Sequence, residues 1–259
     1  LRHDRVMIDY NLHDEEVIVE RLKRIPGIYD FAIAHVALSN LDDIVLKSIQ
    51  VLDESIHHGF ETIKIETKRT DKKFPMTSLE ITQKIAKPIL HGTKWQMKVD
   101  VNHPTHILYV DIRLEASYVY LKTIKGLVGY PYGTGGKGLL MMSGGIDSPI
   151  AGYLAMKQGI EVELLHFEST PLTPIESVQK VIDLSKVLAR YTINGQIKLH
   201  IVPFYKLHHA IIDHVQDAYM ITVMRRMMYR IAERFTHKKN ILCLINGESV
   251  GQVASQTLQ

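Results

Sequence analysis

The segment from Leu139 to Phe167 constrains the fold of this chain more than any other. The apolar run Leu139–Met142 indicates a buried strand, a glycine-containing turn follows it, and Pro149–Gln158 has the spacing of a helix. Gly159 suits the C-terminus of that helix, and Ile160–Phe167 is a second apolar run. A strand, a helix and a strand in this order predict a βαβ unit, in which the two strands are parallel and the helix covers the sheet.

The remaining C-terminal half continues this alternation. Helical spacing covers Val178–Arg190 and Tyr219–Phe235, and strand-like runs cover Ile197–Val202 and Ile241–Asn246. We therefore expect an α/β domain built on a parallel sheet.

The N-terminal half mixes strands and helices less regularly. Val6–Tyr10 predicts a strand, and Leu41–His58 predicts a helix that begins at Ser39 or Asn40. Thr62–Arg69 alternates apolar and polar residues as a half-buried strand does. Three more strands are predicted at Met97–Val101, Ile107–Ile112 and Tyr118–Leu121. This half is expected to be a smaller α+β domain, which ends before the glycine-rich linker.

Composition is that of a globular protein with one or two cores, since 46% of the 259 residues are hydrophobic and 23% are charged. No apolar run reaches the roughly 18 to 20 residues of a membrane span, and the first residues, Leu1–Arg5, lack the apolar core that a signal peptide has. The single cysteine, Cys243, excludes an internal disulfide, and its apolar neighbours predict a buried core position. We expect a cytoplasmic protein without a membrane partner.

The segment Ser143–Ser148 lies between the predicted strand and helix and reads Ser-Gly-Gly-Ile-Asp-Ser. Small residues let backbone N–H groups approach phosphate oxygens, and the helix N-terminus adds its positive dipole. Asp147 would repel a phosphate unless a magnesium ion or a hydrogen-bond network intervened, which predicts metal-assisted chemistry. The glycines would also suit a plain strand-to-helix turn with Ser148 as the helix cap. Neither a dinucleotide-binding nor a Walker pattern is present.

The string Ser143–Ser148 resembles the SGG-x-DS loop of N-type ATP pyrophosphatases (the PP-loop), which split ATP between its α and β phosphates and adenylate a substrate oxygen. Three longer strings are similar to those of tRNA 4-thiouridine synthetases, at Leu139–Gly159, Met220–Met228 and Gly247–Leu258. That resemblance implies a PP-loop ATP pyrophosphatase domain over residues 138–259, incomplete at its C-terminal end, and a linker over 128–137. It also implies a THUMP RNA-binding domain over 25–127 and the end of a ferredoxin-like domain over 1–24.

The resemblance also implies roles for individual residues. Catalytic roles fall on Ser143, Asp147 and Ser148. Nucleotide contacts fall on Met141, Met142, Gly144, Gly145, His166, Phe167, Arg225, Gly247 and Gln256. RNA contacts fall on Lys68, Arg69, Lys72 and Lys73. Core packing remains an equal explanation for Met141 and Met142, and a solvated helix face is an alternative for Arg225.

ATP and Mg²⁺ are the implied cofactors, although no metal ligand can be named. The implied partners are tRNA and a cysteine desulfurase or another persulfide sulfur donor, and a homodimer is compatible with the resemblance. The implied reaction is adenylation and sulfuration of the uridine at position eight of tRNA, and a link to thiamine biosynthesis is open. The family's persulfide cysteine is expected beyond residue 259.

Two other functions remain open at this stage. One is a PP-loop synthetase that adenylates a small metabolite, and the other is an RNA-binding adaptor without catalysis. The intact loop disfavours the adaptor, and the basic N-terminal half disfavours the small-molecule synthetase.

Overall fold

The computed structural model describes residues 6–57 and 60–248, and the chain divides into two compact units. Residues 30–124 form the small unit, and residues 1–29 together with 125–259 form the large unit. The first helix, α1 (Glu15–Leu22), belongs to the large unit, where Arg21 Nη2 donates to the carbonyl of Thr192 at 2.7 Å. The assignment of residues 1–24 to a ferredoxin-like domain stays a prediction.

The small unit contains a mixed five-stranded sheet. Its elements are β1 (Asp30–Ala32), β2 (His35–Ala37), α2 (Leu41–Ser55), β3 (Phe60–Arg69), α3 (Ser78–Gly92), β4 (Gln96–Val99), β5 (His106–Ile112), β6 (Ser117–Tyr120) and β7 (Thr123–Lys125). The strand order is β2-β6-β5-β3-β4, with β3 parallel to β4 and β5 and with β6 antiparallel to β5 and β2. Strands β1 and β7 pair separately. The α+β prediction for this region is confirmed.

Two capped helices cover the small unit's sheet. Asn40 begins α2, because its side chain accepts a hydrogen bond from the Asp43 amide at 2.9 Å. Helix α3 was not predicted, although Thr77 and Glu80 form a capping box at its start. Its isoleucines recur every fourth residue and are fully buried with the sheet in one core, at Ile81, Ile85 and Ile89.

The large unit is built on a parallel four-stranded sheet in the order β10-β9-β8-β11. Its further elements are β8 (Lys137–Met141), α4 (Asp147–Lys157), β9 (Glu161–Glu168), α5 (Glu176–Ala189), β10 (Leu199–Pro203), α6 (Tyr205–His214), α7 (Asp217–Lys239) and β11 (Cys243–Ile245). Gly159 ends α4 with a φ of +82°, as predicted. The predicted parallel α/β domain is confirmed.

Both faces of the large unit's sheet are buried. Adjacent β8 residues point to opposite faces: Leu140 packs with Val181 and Leu188 of α5, and Leu139 packs with Ala232 of α7. Helices on both faces explain the continuous apolar run that identified β8 in the sequence.

Two predictions of local structure were wrong, and one helix, α6, was not predicted. Val6–Tyr10 forms no strand. Cys243 is exposed rather than buried, because it begins β11 at the edge of the described sheet. Among the described helices, none combines the length and the apolar character that crossing a membrane would require.

Among the described residues of the large unit, the carboxylate of Glu163 is buried. Glu163 of β9 is 2.8 Å from His200 Nε2 and accepts from Lys198 Nζ at 3.1 Å. Burial raises the pKa of Glu163, but the hydrogen bonds from His200 and Lys198 outweigh it and leave the pKa below its usual value. Glu163 is therefore ionised at neutral pH.

Candidate active site

The parallel sheet of the large unit gathers distant residues at one edge. The glycine loop follows β8, His166 and Phe167 lie near the end of β9, and Gly247 follows β11. Open α/β sheets bind ligands beyond the carboxyl ends of their strands. A Cβ on Gly247 would lie 2.5 Å from the Asp147 carbonyl carbon and the Ser148 nitrogen, so this segment touches the start of α4.

The hydroxyl of Ser148 braces the glycine loop from inside. Ser148 is only 3% exposed, and its Oγ accepts from the Ser143 amide at 3.0 Å and lies 3.1 Å from Ser143 Oγ. Ser148 does not cap α4, since the N-cap residue is Ile146 and no side chain caps that helix. The first amides of α4 are therefore left without a side-chain acceptor, which suits an anion.

Asp147 is the first residue of α4, and its carboxylate is exposed. No described residue forms a hydrogen bond or ion pair with that carboxylate, so it is available to a ligand. Magnesium typically binds one or two carboxylates together with phosphate oxygens and water. The described residues contain no cluster of three or more histidine, cysteine, aspartate or glutamate side chains that could hold a metal ion.

Hydrogen bonds fix the backbone on the predicted adenine side of the site. The Met142 amide donates to the Leu165 carbonyl at 2.8 Å, and the Met142 carbonyl lies 3.0 Å from His166 Nδ1. Because a carbonyl only accepts, Nδ1 carries a proton and Nε2 is left for another partner. The side chains of Met141 and Met142 pack in the cores on opposite faces of the sheet, and Phe167 packs edge-on against Phe204 at 5.3 Å. Direct contact of these residues with adenine stays a prediction.

Arg225 of α7 is directed to the chain segment that follows β11. Its guanidinium forms an ion pair with Glu248, the residue after Gly247. Arg225 is thereby held at the edge of the site, whereas the neighbouring Arg226 is exposed on the helix surface. Gln256 lies outside the described residues.

One cation near the loop was missed in the sequence. A Cβ on Gly144 would lie 3.6 Å from Cδ of Lys180, so the stem of this α5 lysine runs beside the loop. No local motif marks Lys180, because its neighbours follow ordinary helical spacing and only the packing of α5 brings it to Gly144.

The four residues predicted to contact RNA lie together in the small unit. Lys68 and Arg69 end β3, and Lys72 and Lys73 follow in the next loop. The three lysines are exposed, and none of them forms an ion pair with a described carboxylate. Arg69 is partly engaged, because its Nη1 donates to the Phe74 carbonyl at 2.9 Å and so holds the loop.

Two family models and many relatives match the chain. The model described as "Thiamine biosynthesis protein (ThiI)" matches residues 133–259, and a THUMP domain model matches residues 39–122. A protein named "Probable tRNA sulfurtransferase" from Acholeplasma laidlawii is 49% identical over 257 residues, which cover 99% of this chain and 62% of that protein. A protein of the same name from Halothermothrix orenii is 45% identical and covers 93% of this chain and 61% of its own length. Residues 133–259 therefore match the ThiI family model, and residues 39–122 match the THUMP domain model.

Solved structures are also similar to this chain. A structure described as a 4-thiouridine synthetase–RNA complex with bound ATP is 34% identical, has a TM-score of 0.87, and covers 97% of this chain and 64% of that chain. PH1313 from Pyrococcus horikoshii, at 24% identity and a TM-score of 0.65 over 76% of this chain, supports the fold alone. The chain spans less than two thirds of the length of the two curated relatives from Acholeplasma laidlawii and Halothermothrix orenii.

Proposed function

We propose that the protein is an ATP-dependent tRNA sulfurtransferase, which adenylates the uridine at position eight of tRNA and converts it to 4-thiouridine with release of AMP and pyrophosphate. The observation that carries this proposal is the Ser148-braced glycine loop with the free carboxylate of Asp147, at the carboxyl edge of a parallel sheet. The likeness to a 4-thiouridine synthetase solved with RNA and ATP supports the choice of substrates.

The geometry suits ATP with its phosphates in the loop. The amides at the start of α4 would bind the β and γ phosphates, and Asp147 would hold a magnesium ion against them. The adenine would lie near Met142 and His166. The Nε2 atom of His166 is free and can act as a hydrogen-bond partner of the ligand. Bound magnesium would supply charge neutralisation at the phosphates.

The proposed reaction has two steps. The uridine O4 forms a bond to the α phosphorus, the bond from that phosphorus to the bridging oxygen breaks, and pyrophosphate leaves with the electron pair. The outer sulfur of a persulfide donor, charged by a cysteine desulfurase, then bonds to C4 of the uridine, and AMP leaves with the O4 oxygen. A second thiol breaks the remaining sulfur–sulfur bond, which leaves the thiocarbonyl on the uridine and a disulfide on the donor. Loop amides would stabilise the charge that develops on the leaving pyrophosphate, and a magnesium ion held by Asp147 would neutralise part of it.

Two basic surfaces support RNA as the partner. The first is the Lys68, Lys72 and Lys73 cluster of the small unit. The second is a ridge on α7 whose members recur every fourth residue, at Arg226, Arg230, Arg234 and Lys238. All four ridge residues are exposed, and none pairs with a described carboxylate. Successive members stand about 6 Å apart along the helix, so the ridge extends over about 18 Å. Phosphate contacts of this kind dock RNA without reading its sequence.

A role in thiamine biosynthesis is a second candidate function, favoured by the description of the matching family model. Since tRNA is the proposed substrate, we expect the protein to act in the cytoplasm, and a homodimer is the oligomer we would test.

Pyrophosphate release from γ-labelled ATP with magnesium tests the main proposal. Unmodified tRNA, a mixture of small metabolites and no substrate are compared, with Asp147→Ala as control. Release that requires tRNA and disappears in the variant is expected. Turnover with metabolites alone would instead indicate a small-molecule synthetase, and tight tRNA binding without turnover would indicate an RNA-binding adaptor.

A further inference from the structure

Lys180 is held beside the glycine loop by the packing of α5. The next residue, Val181, is fully buried in the core that also contains Leu188. Helix α5 lies close to α4, since a Cβ on Gly152 of α4 would meet Leu188 Cδ1 at 3.3 Å. This anchoring fixes the origin of the Lys180 side chain, whose Cδ lies 3.6 Å from the Cβ position of Gly144.

The ammonium of Lys180 is available to a ligand. None of the described carboxylates pairs with it, whereas Lys186 on the same helix pairs with Asp183 at 3.0 Å. The ammonium stands two bonds beyond Cδ on a flexible stem and carries three hydrogen-bond donors. An unpaired ammonium beside a loop whose helix amides also lack a side-chain acceptor makes a site for a polyanion.

We propose that Lys180 is a phosphate-binding residue of the ATP site, which contacts the phosphates destined to leave as pyrophosphate. This inference rests on the proposed function and adds a residue that the loop motif does not contain. When the bond between the α phosphorus and the bridging oxygen breaks, negative charge grows on the pyrophosphate, and the Lys180 ammonium stabilises it by a charge-assisted hydrogen bond. AMP lacks these phosphates, so its binding affinity should not depend on Lys180.

The test compares two ligands that differ in those phosphates. Binding of pyrophosphate and of AMP, each with magnesium, is measured by calorimetry in the wild-type protein, in Lys180→Gln and in Lys180→Arg. We expect Lys180→Gln to weaken pyrophosphate binding about tenfold to a hundredfold, the usual range for a hydrogen bond to a charged group. AMP binding should stay within about twofold on the same reasoning, and Lys180→Arg should recover part of the pyrophosphate affinity.

Lys186→Gln is the matched control, because it removes a lysine from the same helix at a position paired with Asp183. Equal pyrophosphate affinity in Lys180→Gln and Lys186→Gln would overturn the inference while leaving the proposed function intact. Parallel loss of AMP and pyrophosphate binding in Lys180→Gln would also overturn it, since this indicates a structural role. A wild-type protein that binds neither ligand would overturn the proposed function and this inference with it.

Discussion

Gly247 is the residue whose substitution should reveal most about how the site is held together. A Cβ at this position would lie 2.5 Å from the Asp147 carbonyl carbon and the Ser148 nitrogen, and 2.6 Å from the Asp147 oxygen. All three are backbone atoms, which cannot rotate away as a side chain can. The Gly247 backbone is not in the positive-φ region, so the cost of Gly247→Ala is steric. Either the segment after β11 or the start of α4 must move.

We expect Gly247→Ala to lower the free energy of unfolding by about 1 to 3 kcal/mol, the usual cost of overpacking. The displaced atoms carry Asp147 and the first amides of α4, so ATP binding should weaken as well. Urea denaturation gives the first quantity, and calorimetry with ATP and magnesium gives the second.

Gly195→Ala is a suitable control for Gly247→Ala. Gly195 has a φ of +72° and nothing within 4 Å of a new Cβ, so alanine there costs about 1 to 2 kcal/mol through backbone strain alone. That variant should lose stability and keep its ATP affinity. A Gly247→Ala protein with wild-type stability and wild-type ATP affinity would refute the contact between Gly247 and the start of α4.

Other substitutions test the remaining parts of the structure. Asp147→Asn should lower the rate of tRNA-dependent pyrophosphate release by about a hundredfold, a typical loss for one group that stabilises a transition state. The free energy of unfolding measured in urea should change little. Wild-type rates in single-turnover assays would contradict the proposed role of Asp147 in holding magnesium. The double change Arg230→Gln and Arg234→Gln should weaken tRNA binding, as measured by filter binding at several salt concentrations. The slope of the logarithm of the binding constant against the logarithm of the salt concentration should fall by about one unit for each arginine that binds a phosphate. An unchanged slope would show that the α7 ridge is not part of the RNA interface. Glu163→Gln should destabilise the protein by about 1 to 3 kcal/mol at neutral pH, because His200 and Lys198 lose a charged partner. The Glu163 pKa is lowered in the folded protein, so the ionised carboxylate stabilises the fold above pH 4.5, its usual pKa, and this stabilisation is lost as pH falls through the lowered pKa. A difference in the free energy of unfolding between the wild type and Glu163→Gln that persists in urea titrations well below pH 4.5 would contradict this.

The strands of the parallel sheet and the helices α4, α5 and α7 were predictable from sequence because their apolar patterns are long, whereas the short helix α6 was missed. The run around Leu140 reads as a strand buried on both faces, and the structure places helices on both sides of it. Helix α3 shows what pattern reading misses. Its capping box at Thr77 and Glu80 and its buried isoleucines were present in the sequence, but Pro88 inside the helix weakens the helical signal. Cys243 shows the converse error, since apolar neighbours indicated burial and the edge position of β11 decided exposure.

The candidate site was predictable only as far as its motifs extend. The loop from Ser143 to Ser148 is contiguous, so its chemistry could be expected from the string, although the inward position of the Ser148 hydroxyl could not. Gly247 was expected as a nucleotide contact from a resemblance, whereas the structure gives it a packing reason that holds without any ligand. A glycine in a motif can thus be needed because a side chain would clash with the protein's own backbone, whether or not the glycine also contacts the substrate.

Lys180 extends this reasoning to residues that no motif contains. Parallel strands bring their carboxyl ends to one edge, and the helices that connect them must start near that edge before running back along the sheet. The first turns of α4 and α5 are therefore both close to the loop, and a long cation early in α5 reaches Gly144. The same topology that makes an anion site from the amides of α4 thus positions a cation from α5 beside it, so the fold and the proposed chemistry have a common physical cause.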